Sequence, residues 1–175
     1  MNIFVTDYNP YHSAANLDDS RVVKMLLESI QMLCTYAHLD GHTMKYKPTH
    51  QNNGLIRWLR NDKNNFYWLV AHAYGLKSEY TERYDRIHAS EDILWEIMQI
   101  YGYQKAEPIA FLNKAANKEH NMDYTHIKDV ATAYRIYLSA RWEKAIVQHA
   151  ENPRKKLPKW TGRLPPDWYI ERKNV

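Results

Sequence analysis

The 175-residue chain is poor in cysteine and glycine, with one cysteine and five glycines. A single cysteine excludes an intramolecular disulfide framework and the paired thiolates of a structural zinc site. The glycines are too far apart in the sequence to form a glycine-rich loop around a phosphate group. These two absences exclude disulfide-rich secreted domains and nucleotide-binding enzymes of the phosphate-loop type.

Long hydrophobic runs are also absent, and no stretch approaches the length that spans a membrane. Residues 1–5 lack the basic and apolar regions of a secretory signal peptide. Cys34 lies among apolar residues, where a thiol behaves as a small buried hydrophobe and is unreactive. We therefore expect a cytoplasmic protein without a membrane partner, in the cytoplasm of the host cell if a phage encodes it.

The nine histidines do not follow the spacing of metal ligands. No His-Glu-x-x-His sequence occurs, and no pair of acidic residues is placed one helical turn from a histidine in a usual ligand pattern. We therefore expect neither a metal ion nor another cofactor.

Apolar residues recur with the period of α-helices, and no stretch alternates with the two-residue period of a strand. The pattern predicts a short extended segment at residues 3–6, a turn at Asn9-Pro10, and a short helix that Asn52 or Asn53 caps. Longer helices are predicted over residues 17–38, 63–88, 90–100 and 127–149. The chain is long enough to bury one core without disulfides or metal. The predicted fold class is all-α, a compact single-domain helical bundle.

The predicted helical domain covers residues 1–150, and residues 151–175 form a basic, aromatic C-terminal extension. The net charge of +4 lies in this extension, which carries seven basic and three acidic side chains. Basic and aromatic residues in alternation are typical of an arm that binds nucleic acid, here through Lys155, Lys156 and Trp160. An equal alternative is an extension that its aromatic side chains hold against the bundle, with its charges in solvent.

The helix predicted over residues 17–38 is apolar around most of its circumference but carries one polar stripe. At the helical step of 100° per residue, the stripe covers about a quarter of the circumference. It consists of Arg21, Lys24, Glu28, Gln31 and Thr35. A largely buried helix holds a carboxylate and two cations only where they pair or face a cleft. Glu28, with Lys24 and Arg21, is therefore the best candidate site. The alternative is a simple ion pair between Lys24 and Glu28 that closes a groove.

Other polar residues are candidates for contact with a substrate. The loop from His50 to Asn53 is rich in hydrogen-bonding groups, as is typical of substrate-binding loops, although a plain helix cap is an equal alternative. Asn65 and Arg83 lie on the third predicted helix, where Arg83 is also spaced to form an ordinary ion pair with Glu79.

The last predicted helix alternates basic and aromatic residues. Arg135, Arg141 and Trp142 suit contact with a phosphate backbone and with bases. The alternative is an amphipathic helix whose aromatic side chains face the core.

The run from Leu17 to Glu28 (LDDSRVVKMLLE) resembles the opening of the first helix in the pyrimidine-dimer DNA glycosylases of T-even phages, the endonuclease V family. The family pattern is Leu-x-Asp-x-His and, after six residues, the catalytic Glu. These positions align with Asp19, Arg21 and Glu28. The chain also resembles a wider group of small phage proteins that share a Lys-Met-x-x-Glu first helix. The specific match covers about a dozen residues, and it implies a DNA partner and a catalytic role for Glu28.

Two positions differ from the family pattern. Arg21 replaces the histidine, so the role of a neutral imidazole does not carry over. The family's nucleophile is an α-amine exposed when the initiator methionine is removed, whereas the bulky Asn2 predicts that Met1 is retained. The resemblance then implies an attacking amine from Met1 or from Lys24. An unperturbed α-amine has a pKa near ~8 and is partly neutral at pH 7, which favours Met1.

The leading hypothesis is a phage-type DNA N-glycosylase, with or without abasic-site lyase activity, that acts on damaged or modified pyrimidines. One alternative is an enzyme that acts on free or modified nucleotides, with no affinity for duplex DNA. Another is a non-catalytic protein that binds nucleic acid or a host component through Arg135, Arg141 and the extension. That last alternative predicts that Glu28→Gln leaves function intact while deletion of the extension abolishes it.

Overall fold

A computed structural model describes residues 1–107 and 110–173, with only the backbone described for 171–173. The described part contains seven α-helices and one two-stranded antiparallel sheet. The elements in chain order are α1 (Pro10–Ala15), α2 (Asp19–Leu39), α3 (Gly54–Asn61), α4 (Lys63–Tyr84), α5 (Glu91–Tyr101), β1 (Ala116–Asn117), β2 (Met122–Asp123), α6 (Val130–Glu151) and α7 (Asp167–Lys173). The predicted all-α fold class is confirmed. Pro108, within a segment predicted to be irregular, lies outside the described residues, as do Asn174 and Val175.

Helix α2 packs against α4 and supplies much of the core. Its buried residues include Val22, Leu26, Ile30 and Leu33, which recur at three- and four-residue spacings on one face. Val23 is 37 % exposed, so the apolar surround of the polar stripe is less complete than the sequence predicted. The helix begins after Asp18 and ends at Leu39, close to the predicted bounds.

Helix α1 was not predicted, because the Asn9-Pro10 dipeptide was interpreted as a turn alone. Asn9 is its N-cap, with a side chain that accepts hydrogen bonds from the next backbone amides, and Pro10 occupies the first helical position. The short helix packs closely on α4 at Gly75. A Cβ on Gly75 would lie 3.0 Å from the Cβ of Ala14, so a larger residue would separate the two helices.

Helices α3, α4 and α5 begin near their predicted positions. Asn53 caps α3 by accepting a hydrogen bond from the amide of Leu55, and the side chain of Asp62 caps α4 in the same way. Helix α4 ends four residues earlier than predicted, because Asp85 takes a left-handed conformation with φ of 49°. Gly102 terminates α5 as predicted.

The sheet and α6 complete the bundle. Ala116 pairs with Asp123 and Asn117 with Met122, two residues a strand, which is too short for an alternation pattern in the sequence. Asp129 caps α6 by accepting a hydrogen bond from the amide of Thr132. The predicted extended segment at 3–6 follows an irregular path instead of forming a strand.

The segment after α6 returns to the start of α2. The carbonyl of Lys159 accepts a hydrogen bond from the amide of Asp19 over 2.8 Å. The Asp19 carboxylate accepts two more from the amide and hydroxyl of Thr161. Trp160 is buried and packs edge-on against Trp142. We call residues 152–170 the C-terminal strap. The predicted extension also includes the charged side chains of Glu171, Arg172 and Lys173, which lie outside the described part.

Within the described residues, no helix is both long and apolar enough to cross a membrane.

Candidate active site

Glu28, in the polar stripe of α2, faces the first residues of the chain. The backbone amide of Asn2 donates to Oε2 of Glu28 over 3.4 Å. Nζ of Lys24 lies 3.5 Å from Oε1 of the same carboxylate. The side chain of Glu28 is 18 % exposed, whereas that of Lys24 is 70 % exposed. The carboxylate therefore stands at the edge of the core, between the N-terminal segment and a solvated ammonium group.

The ion pair between Lys24 and Glu28 is present, as the simpler interpretation of the stripe expected. The contact with Asn2 is additional and does not follow from the spacing on α2. It brings residues 26 positions apart in the sequence together at one carboxylate. An ion pair on a helix surface needs no such contact with a distant segment of the chain.

The side chain of Asn2 fixes the N-terminal segment in place. Its Oδ1 accepts a hydrogen bond from the amide of Ile3 at 2.8 Å and another from the hydroxyl of Tyr134 at 2.6 Å. Its Nδ2 donates to the carbonyl of Lys114 over 3.3 Å. Helix α6 and the loop before β1 thus hold the backbone nitrogen of Asn2 beside Glu28.

Phe4 bends this segment. It adopts φ of 47°, a left-handed conformation that is rare and strained for a bulky residue. Its ring stacks 6.1 Å from that of Tyr137 and meets Tyr134 edge-on at 5.9 Å. The guanidinium of Arg21 lies 5.7 Å from the same ring. Backbone strain at a short, well-packed segment is common where a protein positions functional groups.

Arg21 is the first member of the stripe along α2 and pairs with Asp18. Burial opposes ionisation of Asp18, but the Arg21 cation and hydrogen bonds from Ser20 and Trp142 outweigh burial and lower the pKa of this carboxyl. The carboxylate stays ionised at neutral pH. Arg21 is therefore held rigidly, one face toward Asp18 and the other toward the rings of Phe4 and Trp142.

The start of α3 is connected to the N-terminal segment through Lys114. Nζ of Lys114 donates to Oδ1 of Asn53 over 3.3 Å, the oxygen that also caps α3. His50 is exposed, in a left-handed conformation, and its carbonyl accepts from the amide of Asn53 at 2.7 Å. The carbonyl of Lys114 also bonds Asn2, so Asn53 lies near the site, whereas the exposed His50 has no contact with Asn2 or Glu28 among the described hydrogen bonds.

Two predicted substrate contacts are instead framework residues. The Arg83 side chain is 1 % exposed and bonds the carboxylates of Glu79 and Asp19 and the carbonyl of Leu17. Asn65 is buried and donates to the carbonyl of Trp58 over 2.6 Å. Because protein partners occupy their polar groups and bury them, they offer no surface to a ligand.

The two tryptophans proposed to stack on bases are also interior. Trp142 and Trp160 are 1 % and 9 % exposed and pack against one another and Tyr169. Their rings hold the C-terminal strap on the bundle. Lys155 and Lys156, on the same strap, are exposed and remain accessible to an anion.

The two arginines predicted on α6 are half-buried at the surface. Arg135 donates from Nε to the carbonyl of Thr6 and faces Asp7 at 3.6 Å, so it also anchors the N-terminal segment. Arg141 donates to the hydroxyl of Tyr137.

The sequence missed Asn2, Phe4, Lys114 and Tyr134 as members of the site. Each contributes through a contact between distant parts of the chain, and no local spacing indicates it. Within the described residues, no group of three or more metal-ligating side chains is assembled.

Comparison of the chain with models of known protein families, with curated proteins and with solved structures finds no match.

Proposed function

We propose that the protein is a DNA N-glycosylase, with abasic-site lyase activity, that acts on damaged or modified pyrimidines. The observation that carries the proposal is the contact of the Glu28 carboxylate with the N-terminal segment at 3.4 Å and with Lys24 at 3.5 Å. A carboxylate and an amine close to one another are the two groups that this reaction needs.

The chemistry proceeds through nucleophilic displacement at C1′ of the target nucleotide. A neutral amine forms a bond to C1′, and the bond from C1′ to the base breaks, with its electron pair leaving on the base. Glu28 stabilises positive charge at C1′ and accepts the proton that the attacking amine loses. Sugar ring opening then gives an imine, from which β-elimination cleaves the strand.

The attacking amine is one of two groups. The nitrogen of Asn2 that contacts Glu28 is an amide, and its lone pair is delocalised, so it is not a nucleophile. The α-amine of Met1 is one residue away, and Nζ of Lys24 lies within ion-pair distance of the carboxylate. Unperturbed α-amines lose their proton near pH ~8, against ~10.4 for lysine, which favours Met1.

The surroundings of Glu28 suit a nucleic acid. Arg21 and Arg141 flank the rings of Phe4 and Tyr137 on one side, and the exposed Lys155 and Lys156 continue the positive surface along the strap. Cations that contact phosphates supply most of the affinity for nucleic acid. A base that reacts must leave the stack, so accessible positive charge around a recessed carboxylate supports this substrate class.

The test is a trapping experiment with Glu28→Gln and a matched control, Glu82→Gln, which replaces an exposed glutamate on α4. Ultraviolet-irradiated duplex and abasic-site duplex are incubated with each protein in borohydride, which reduces the imine to a stable adduct. We expect wild type and Glu82→Gln to form adducts and Glu28→Gln to lose at least 100-fold in base release. Peptide mapping then assigns the adduct to Met1 or Lys24. Absence of base release and of any adduct in wild type would reject the proposal.

A second candidate function, action on free nucleotides, is favoured by a different cavity. A space of about 630 Å³ between α1, α4 and the segment after α5 is lined by aromatic rings. They are those of Tyr8, Tyr11, Trp68, Tyr103 and Phe111. Flat rings of this kind stack on nucleobases regardless of sequence. Quenching of tryptophan fluorescence by nucleosides, lost in Trp68→Leu, together with no affinity for duplex DNA, would favour this function over the glycosylase.

A further inference from the structure

A small cavity beside the start of α2 has an unusually positive lining. It measures about 160 Å³ and lies between the first turn of α2, the turn that joins β1 to β2, the C-terminal half of α6 and the C-terminal strap. Five of the side chains that line it are basic or imidazole groups, namely Arg21, His120, Arg141, Lys144 and Lys156. They come from four separate parts of the chain.

The lining has little negative charge to balance these groups. Among its described residues, Asp18 is the one carboxylate, and Arg21, Ser20 and Trp142 already bond it. Arg141, Lys144 and Lys156 have no ion pair among the described residues. Like charges brought together at a concave surface repel one another unless an anion joins them.

The positive charge around the cavity also affects the pKa of His120. Burial lowers the pKa of His120, and the neighbouring Arg141 and Lys144 lower it further. His120 is therefore a neutral hydrogen-bonding group at pH 7, and the cavity presents three cations and a neutral ring around Arg21.

We propose that this cavity is a phosphate-binding pocket that holds one backbone phosphate of the nucleic-acid substrate. Arginine provides planar forked donors for phosphate oxygens and lysine a point charge, and the lining contains both. The proposal rests on the proposed function for the source of the phosphate. Binding of a phosphate group alone does not depend on it.

The position of the pocket fits a DNA strand that crosses Glu28. Arg21 and Glu28 are seven residues apart on α2, roughly 10 Å along the helix axis. Stacked nucleotides of one DNA strand rise by about 3.4 Å each. For a strand that runs along α2, the pocket would hold a phosphate roughly three nucleotides from the one that reacts, and it would fix the register of the strand.

The experiment measures phosphate and DNA binding separately. Inorganic phosphate is titrated calorimetrically into wild type, Lys144→Gln, Lys156→Gln and the control Lys47→Gln, which replaces an exposed lysine on the loop between α2 and α3. We expect wild type and Lys47→Gln to bind equally, and each pocket variant to bind at least 5-fold more weakly. Circular dichroism verifies that each variant is folded. Because Lys156 is exposed, Lys156→Gln changes the pocket without altering the packing of the core.

The salt dependence of binding to a short duplex identifies the source of the phosphate. For a pocket that holds one DNA phosphate, each pocket variant lowers the slope of log K against log salt by about 1, and Lys47→Gln does not. Loss of phosphate binding with an unchanged slope would overturn the DNA assignment in favour of free phosphate. Equal phosphate binding by wild type and both pocket variants would overturn the pocket itself. Neither result depends on catalysis, so failure of the glycosylase proposal is seen separately in the trapping experiment.

Discussion

The hydroxyl of Tyr134 on α6 donates a 2.6 Å hydrogen bond to Oδ1 of Asn2, 132 residues away in the sequence. Burial raises the pKa of Tyr134, so the phenol keeps its proton and remains a donor. The start of the chain therefore depends on α6 for its position beside Glu28.

Tyr134→Phe removes this hydrogen bond and keeps the buried ring. We expect the free energy of unfolding to fall by about 1 kcal/mol, because Asn2 loses one of its buried partners. Urea titration measures the change, with Tyr80→Phe on α4 as the control. If the proposed function is correct, base release also falls, since the N-terminal segment is less well fixed. An unchanged stability would contradict the structural role.

Arg83→Met tests the buried charge network. Replacement leaves Oε2 of Glu79 without its buried partner, while Arg163 still contacts Oε1, and it removes the bonds to Asp19 and Leu17. Breaking a buried ion pair from one side costs about 3–5 kcal/mol. We expect a loss of that size in urea titration, a smaller loss for Arg83→Lys, and almost none for the exposed Arg57→Met. A loss below 1 kcal/mol for Arg83→Met would show that the network is dispensable.

His72 makes stability depend on pH. Burial lowers its pKa to about 4, despite a hydrogen bond with the carbonyl of Pro10. Protonation therefore favours the unfolded chain, in which a histidine has a pKa near ~6.5. The contribution is complete above about pH 6.5 and is lost as the pH falls to about 4.

The loss through this window is about 3 kcal/mol for wild type. His72→Gln is expected to flatten the dependence of unfolding free energy on pH between 7 and 4.5, and the exposed His42→Gln is not. His88, whose pKa burial also lowers, adds a slope of the same sign that remains in both variants. A slope that His72→Gln leaves unchanged would show that His72 does not cause it.

Cys34 is expected to be unreactive in the native protein. Burial raises its pKa to about 11 and leaves the side chain without solvent contact. A chromogenic disulfide reagent at pH 8 should therefore label less than a tenth of the protein in an hour and one thiol per chain after denaturation in urea. Rapid native labelling would mean that α2 opens locally around this residue.

The helices could be predicted because their apolar periodicity is local. Helix α2 and the caps at Asn53 and Gly102 follow from residues within one or two turns. Helix α1 was missed because six residues give too little periodicity, and its stability depends on the close contact at Gly75. Strands of two residues carry no pattern at all.

The candidate site could be predicted only in part, because the sequence pattern reveals contacts within one helix and not contacts between distant segments. Glu28 and Lys24 lie on one helix, and their stripe is visible in the sequence. Asn2 lies 26 positions from Glu28, and Tyr134, which holds Asn2, lies 132 positions from Asn2. Helical spacing does not connect such residues. Arg83 and Trp142 illustrate the converse, since a polar or aromatic residue at the right spacing can equally serve the interior.

The C-terminal strap has a consequence for synthesis on the ribosome. The amide and carboxylate of Asp19 find their partners in Lys159 and Thr161, about 140 residues later in translation. Chains grow at about 5–20 residues per second, so the start of α2 stays uncovered for roughly 7 to 28 seconds. Nascent polypeptides shorter than about 160 residues therefore lack the contacts that fix the start of α2.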